Sequence, residues 1–453
     1  MSRFARALTR RLRRGEEGWL IVEVMISALI LVIAALAILN GLDGASKASG
    51  RNRNRSEAAT LAQQDQERLR SFESSGLSNY HSSRTVTVGN LKYVVASKVQ
   101  WVRDTSGVVS CSVDSSQAQY ELITSTVTDP TGVNAPVVAQ SIVAPHVGDF
   151  SSNTGSSAVQ LIDRNGNGVQ NVGVALNEPP APSDTTNSAG CVVFGFLAVP
   201  NPGPYHAVFA QPGYVDTLGN NAIGPNTASD TGAVTLVAGQ TSLTQFQYDL
   251  GASLTISFNT QVASNPQQAA TAYQAQVFNT GIPLTPSQRT FPATAPSSPT
   301  ATVAATSLFP FTSSYGVWAG SSTCTAANPA SQSPAQTADS ITMTPGGNQT
   351  LSVREPAINL VAEQGGTAKA GLNVRVTPKS TGCGSTTTYP KQTSTATGTL
   401  PNPGFPYGDY SICIDNGSKT ASTTTNVHNT SRAGTPTVFV NIPTTGATSG
   451  TCA

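Results

Sequence analysis

The spacing of hydrophobic and polar positions changes twice along the chain. From Trp19 to Leu39 nearly every residue is apolar, and Glu23 is the one charge. As a helix that run reaches about 31 Å, the thickness of a hydrocarbon core. Further on, Ala58, Leu61, Ala62, Leu69 and Phe72 recur at spacings of three, four and seven, and residues 45–74 hold no proline. That is one face of an amphipathic helix. The pattern predicts a transmembrane helix over 19–42, continued by a helical extension over 43–76. Ser74, Ser75, Gly76, Ser78 and Asn79 end it. The period then shortens to two, with strands predicted at Thr85–Val88, Leu91–Trp101 and Tyr120–Thr128 in an antiparallel sheet over 77–150.

The remaining residues alternate short apolar runs with Gly, Asn and Pro turns. Examples are Ala158–Ile162, Val172–Leu176, Cys191–Phe194 and Tyr205–Phe209. Such short strands at close intervals predict β-sandwiches. A period near 100 residues divides them into modules over 155–250, 251–353 and 354–453. The expected fold is thus an α+β N-terminal module, a long transmembrane helix plus antiparallel sheet, followed by all-β sandwich modules.

Composition narrows the function. Only 11% of the 453 residues are charged and the net charge is +1, so no broad basic field recruits nucleic acid. Lys47, Arg51, Arg53 and Arg55 lack interleaved aromatics and sit beside the apolar run, which fits a solvated or headgroup-facing helix. Six cysteines and four scattered histidines form no zinc-ligand pattern. An even cysteine count in an exported chain points to disulfides, whose pairing the spacing leaves open.

Before the apolar run stand Arg3, Arg6, Arg10, Arg11, Arg13 and Arg14, then Gly15-Glu16-Glu17-Gly18. The arginines hold the N-terminus in the cytoplasm, so everything past residue 40 lies outside. A carboxylate within a membrane span costs about 2.5–3.5 kcal/mol on insertion scales, so Glu23 needs a functional reason. Gly18, then large apolar residues with Glu23 fifth, resembles the processing motif of type IV prepilins and pseudopilins. The resemblance implies a leader over 1–18, cleavage between Gly18 and Trp19 by prepilin peptidase, and N-methylation of Trp19. It also implies pairing of Glu23 with a neighbouring subunit's N-terminus in a filament. An uncleaved signal anchor shares the flank and the length but has no use for Glu23. A secretory signal cut near Ala34–Ala37 would end inside the apolar run, and Arg10-Arg11 is weak evidence for a twin-arginine signal in so arginine-rich a leader.

The helix followed by strands resembles minor pilins of the "V" type over residues 15–145. Further on, the order Asp-x-x-Gly turn, Gly-Val-x-Leu strand and Pro-Gly-x-Tyr turn resembles prealbumin-like and collagen-adhesin B-type stalk modules. Such modules often carry Lys–Asn crosslinks, but no lysine lies between Lys98 and Lys369. Disulfides are the expected staple instead, for example Cys383 with Cys413. Tyr315, Trp318, Tyr407 and Tyr410 are expected as exposed aromatics for recognition.

Other chemistry is sparse. Asp163, Asn165 and Asn167 match the first half of a calcium loop, but Val174 stands where the bidentate Glu belongs. A hairpin turn explains the same residues. The sandwich modules contain no G-x-S-x-G elbow, and neither an enzyme nor a cofactor is expected. The resulting expectation is a minor type IV pilin-like subunit with an adhesin-like extension. It would sit in the inner membrane with its C-terminus outside, then in a pilus or at the cell surface. Expected partners are prepilin peptidase, other pilin subunits and the assembly machinery, the membrane, and a surface glycan or protein receptor. The alternatives are a pseudopilin of a type II-like secretion system and a membrane-anchored surface binding protein that does not polymerise.

Overall fold

The computed structural model describes residues 19–77, 80–102, 111, 120–129, 135–144, 153–177, 182–199, 205–225, 232–260, 274–292, 302–333, 335–380, 382–383, 389–426 and 437–452. The leader, with Gly18, lies outside the described residues. The chain divides into two compact units, Met1–Val108 with Ala118–Phe150, and Val109–Gln117 with Ser151–Ala453.

In the first unit, α1 runs unbroken from Trp19 to Arg70, 52 residues and thus about 78 Å. The apolar window has a mean hydropathy of 2.8 and buries nothing within the chain. Farther along, Ala58, Leu61, Ala62 and Leu69 are all buried, as their spacing requires. Arg68 and Arg70 place positive charge in the last turn, where the helix dipole favours it. The main chain then tightens, Phe72 N–H donating to the Leu69 carbonyl at 3.0 Å, and a short turn α2 covers Ser74–Leu77.

Four strands follow as an antiparallel meander: β1 (His81–Val88), β2 (Leu91–Val102), β3 (Tyr120–Thr128) and β4 (Val137–Val143). A two-residue turn joins β1 to β2, with Gly89 at φ 62, the positive φ that hairpin twist favours. Along β2, Tyr93, Val95, Ser97 and Val99 point inward between exposed or half-buried neighbours, and Trp101 and Val102 are both buried at its end. Ala58, Leu61 and Ala62 pack on Tyr93, Val95 and Val127, while Leu69 and Leu77 pack on Val99 and Ile123.

The described residues of the second unit form strands in three pairs of sheets, with two short 3-10 turns at Thr325–Ala327 and Pro329–Ser331. The first pair uses β5 (Thr154–Ile162), β6 (Gly173–Leu176), β7 (Ser183–Thr185), β8 (Cys191–Ala198), β9 (Tyr205–Ala210), β10 (Tyr214–Asp216), β11 (Ala222–Ile223), β12 (Ala233–Val234) and β13 (Thr241–Leu250). Its sheets are β10-β13-β5-β8 and β11-β9-β6-β7, with β12 also on β9. The second pair uses β14 (Ala252–Thr260), β15 (Ala275–Phe278), β16 (Gln288–Phe291), β17 (Val303–Leu308), β18 (Tyr315–Ala319), β19 (Asp339–Ile341) and β20 (Asn348–Glu355). These form β17-β14-β20 and β16-β15-β18-β19. The third pair uses β21 (Leu360–Gln364), β22 (Thr367–Ala368), β23 (Asn373–Pro378), β24 (Gln392–Thr393), β25 (Asp409–Asp415), β26 (Lys419–Asn426), β27 (Val438–Ile442) and β28 (Thr448–Ser449). Their sheets are β22-β21-β27 and β24-β23-β25-β26-β28.

All six cysteines are paired, but not as expected. The disulfides join Cys111 to Cys191, Cys324 to Cys383 and Cys413 to Cys452. The expected Cys383–Cys413 pair does not form, because Cys413 is bonded to Cys452 and Cys383 to Cys324. Cys413 lies level with Arg375 on β23, whereas Cys383 follows only after β23 has run out at Pro378, at least three residues or about 10 Å along the strand. Gly382 instead accepts a hydrogen bond from Thr323 Oγ1 at 2.6 Å, which sets Cys383 against Cys324. The loops closed span 80, 59 and 39 residues, each worth roughly 4 kcal/mol in chain-entropy terms.

The aromatics expected at the surface are also corrected. Tyr315, Trp318, Tyr407 and Tyr410 are all at most 5% exposed. Their large rings gain more from burial than from water, provided each polar tip finds a partner. Tyr315 Oη donates to the Phe309 carbonyl at 2.6 Å, and Tyr410 Oη to that of Pro406 at 2.7 Å.

Candidate functional site

The N-terminal half of α1 carries the most unusual chemistry. Helical spacing lines up Glu23, Val24, Ser27, Ala28 and Leu31 along one shallow concave strip. Ser27 and Ala28 are small, so the helix surface dips just beyond the Glu23 carboxylate. Every described side chain from Ile21 to Leu42 is exposed, including Met25, Leu31 and Ile38 at 64–70%. Among the described residues Glu23 is therefore a lone acid on an apolar surface that none of them covers. Trp19 begins the helix.

A second polar feature lies where α1 meets the sheet. Asp65 and Gln66 are buried. Asp65 Oδ2 accepts from Ser97 Oγ and Ser125 Oγ, each at 2.7 Å, and its Oδ1 from Arg68 Nη2 at 2.9 Å and Arg84 Nη2 at 3.3 Å. Gln66 Nε2 donates to Ser125 Oγ at 3.0 Å and to the Ala139 carbonyl at 3.1 Å. Burial alone would push the Asp65 carboxyl up, but the Ser97, Ser125 and Arg68 donors together bring it below its ordinary value. One carboxylate and one amide thus tie the helix to β2, β3 and the carbonyl edge of β4. Sequence reasoning missed this pair, although the period that picked out Ala58, Leu61, Ala62 and Leu69 also puts 65 and 66 on the same face.

The Asp163 loop is built as a turn. Asp163 Oδ1 accepts from the amides of Asn165 and Asn167 at 2.7 and 2.8 Å, and Oδ2 from Asn167 Nδ2 at 3.0 Å. Those donors offset burial and hold its pKa below the ordinary value. The main chain closes with Asp163 N–H to the Asn167 carbonyl and Gly166 N–H to the Asp163 carbonyl. The same backbone pair recurs from Asn187 to Cys191, Asp216 to Asn220 and Thr395 to Thr399. In each the fourth residue is a glycine at positive φ: Gly166 at 83°, Gly190 at 71°, Gly219 at 87° and Gly398 at 72°. This is the three-residue hairpin loop closed by a left-handed glycine. At Asp216 the carboxylate takes the same three donors, from Leu218, Asn220 and the Asn220 side chain. Leu218 occupies the position of Asn165, so the turn forms without that would-be ligand. Among the described residues no group of three or more His, Cys, Asp or Glu could hold a metal ion.

No protein-family model matches the chain, and no curated protein matches it. Among solved structures it is similar to the Bacillus anthracis TIE protein, at 8% identity over 80% of this chain and 74% of that one, TM-score 0.19. It is also similar to BcpA, the major pilin subunit of Bacillus cereus, at 9% identity over 66% of this chain and 100% of that one, TM-score 0.16. A third is the full-length major pilin SpaD from Corynebacterium diphtheriae, at 10% identity over 64% and 97%, TM-score 0.17.

Proposed function

We propose that the chain is a minor type IV pilin-like structural subunit rather than an enzyme. Prepilin peptidase cleaves it after Gly18, Trp19 is N-methylated, and α1 enters a filament core where Glu23 meets a neighbour's N-terminus. The sandwiches form an adhesin-like extension, and the subunit sits at a filament tip, because that much extra chain would clash if repeated along a dense helical shaft. What carries this reading is a single helix of 52 residues with two unlike parts. Its N-terminal part as far as Leu42 is uncovered, apolar and acidic only at Glu23, while its C-terminal part is packed on an antiparallel meander. Burying the uncovered part against other such helices removes large apolar area from water or lipid-mismatched surroundings. It also gives the Glu23 carboxylate an opposite charge at low dielectric.

The test is N-terminal analysis of the chain recovered from sheared surface filaments, beside a Gly18 variant bearing a bulky residue. The expected mature chain starts at Trp19, and the variant keeps its leader. A mature chain that still carries residues 1–18, or normal processing of the variant, overturns the reading.

A further inference from the structure

Between its apolar run and its packed end, α1 carries positive charge that has no use yet. Six arginines precede Trp19, while Lys47, Arg51, Arg53 and Arg55 follow Leu39 by 8, 12, 14 and 16 positions. Cations on an exported flank weigh against the orientation that the leading arginines impose, since both flanks enter the same balance. Four of them need a functional reason, as Glu23 does.

Helical spacing sets where they stand. From Lys47, steps of three and four lead through Arg51 and Arg55 to Ala58, Ala62, Asp65 and Leu69. The last four are buried on the sheet side of the helix. No described residue from Ile21 to Glu57 is buried. The face that meets the sheet therefore continues beyond it, uncovered and basic, toward the apolar run. Arg53 stands on another side of the helix, so the charge forms a collar. Lys47 Nζ is held by Asp43 Oδ2 at 2.7 Å. Arg51, Arg53 and Arg55 are exposed, and among the described residues no carboxylate is paired with them.

The three arginines stand about 18, 21 and 24 Å beyond Leu39 along the helix. Helical side chains lean toward the N-terminal end, which here is the side of the apolar run. A headgroup layer is about 5–7 Å deep. Charge beyond it acts over a Debye length of about 8 Å, and a long arginine stem snorkels across the rest. Arg51 has the strongest hold and Arg55 the weakest.

We propose that Arg51, Arg53 and Arg55 bind anionic phospholipid headgroups at the outer surface of the membrane that α1 spans. A guanidinium meets a phosphate through paired charge-assisted hydrogen bonds. A zwitterionic headgroup carries its own cation, which cancels the longer-range attraction. The proposal rests on the membrane-spanning reading of α1, and the test separates the two.

The full-length chain is reconstituted in vesicles of phosphatidylcholine alone or mixed equally with phosphatidylglycerol, and amide exchange is followed by residue. Amides over 21–39 should be protected in both, as a span requires. Over 43–57, exchange should slow about fivefold in the anionic vesicles only, the effect of one engaged arginine. Arg51→Gln should remove most of that slowing, and so should about 1 M salt, which cuts the Debye length to about 3 Å. Arg70→Gln, at the far end of α1 beside Glu67, should leave it unchanged. Equal exchange over 43–57 in the two vesicles overturns the lipid site while the span stands. So does slowing that survives Arg51→Gln, Arg53→Gln and Arg55→Gln combined, or that inorganic phosphate reproduces beside phosphatidylcholine vesicles. Rapid exchange over 21–39 in both vesicles overturns the span, and the lipid site with it.

Discussion

At the scale of single residues, two carboxylates stand in opposite situations. Glu23 has no partner within the described chain surface and sits on uncovered apolar helix, whereas Asp65 is buried among four donors. Replacing Glu23 with Val removes a charge that opposes insertion, so membrane insertion should be equal or better. Recovery in sheared filaments should nevertheless fall severalfold, because the pairing across subunits is gone; normal recovery would remove the reason given for the residue. Asp65→Ala leaves Ser97, Ser125, Arg68 and Arg84 facing an absent acceptor, and the first unit should lose about 3 kcal/mol. The pH dependence follows from the lowered pKa. Stability from Asp65 is fully present above the ordinary carboxylate value of 3.8 and is lost as pH falls through the lower, folded value. Amide exchange on β2 and β3 should therefore quicken in acid below that point, and Asp65→Asn should flatten the dependence. Exchange that is equally acid-sensitive in the Asn variant would assign the effect elsewhere.

At the scale of elements, the repeated hairpin loop separates backbone strain from packing. Gly166 and Gly190 occupy the same position of the same turn, both at positive φ. A Cβ on Gly166 would meet nothing within 4 Å, while one on Gly190 would lie 2.0 Å from the Leu161 carbonyl oxygen. Gly166→Ala should then cost only the left-handed strain, about 1–2 kcal/mol. Gly190→Ala adds a clash with main chain that cannot rotate away, so the loss should be clearly larger. Calorimetry of the two variants ranks them, and equal melting would show that the β5–β8 crossing yields more easily than its geometry implies. The turn itself was legible as Asp-x-x-Gly. That its siblings begin with Asn187 and Thr395 was not, because an amide or a hydroxyl oxygen can accept the same backbone N–H and so carries no fixed letter.

At the scale of the whole molecule, the disulfides decide where the chain can be cut. Cys111 belongs to the second unit and is bonded to Cys191 at the start of β8. A fragment beginning near residue 155 contains every strand of the sandwiches but leaves Cys191 without its partner. Denatured without reductant, that fragment should titrate one thiol and the full chain none. Its first sandwich should also melt earlier, by the roughly 4 kcal/mol that the 80-residue loop contributes. Two thiols or none in the fragment would contradict the pairing.

Local patterns decided much by themselves. An apolar run of membrane length interrupted at Glu23, a change from helical to alternate spacing, and Gly, Asn and Pro at regular intervals each state a local preference that solvent alone enforces. From them the helix followed by strands, and the sandwich character of the rest, could be read. Tertiary structure decided whatever depends on which distant segments meet. Tyr315 and Tyr410 are inside because backbone carbonyls happen to reach their hydroxyls, and Cys383 bonds Cys324 where Gly382 meets Thr323, while Cys413 meets Cys452. Asp65 is tolerated in a core only because Ser97 and Ser125 arrive there from other strands. The parallel pairing of β5 with β13, β14 with β20 and β21 with β27 is likewise invisible along the chain: a strand's sequence states which face is buried, but not which neighbour it hydrogen-bonds, since every backbone offers the same donors and acceptors.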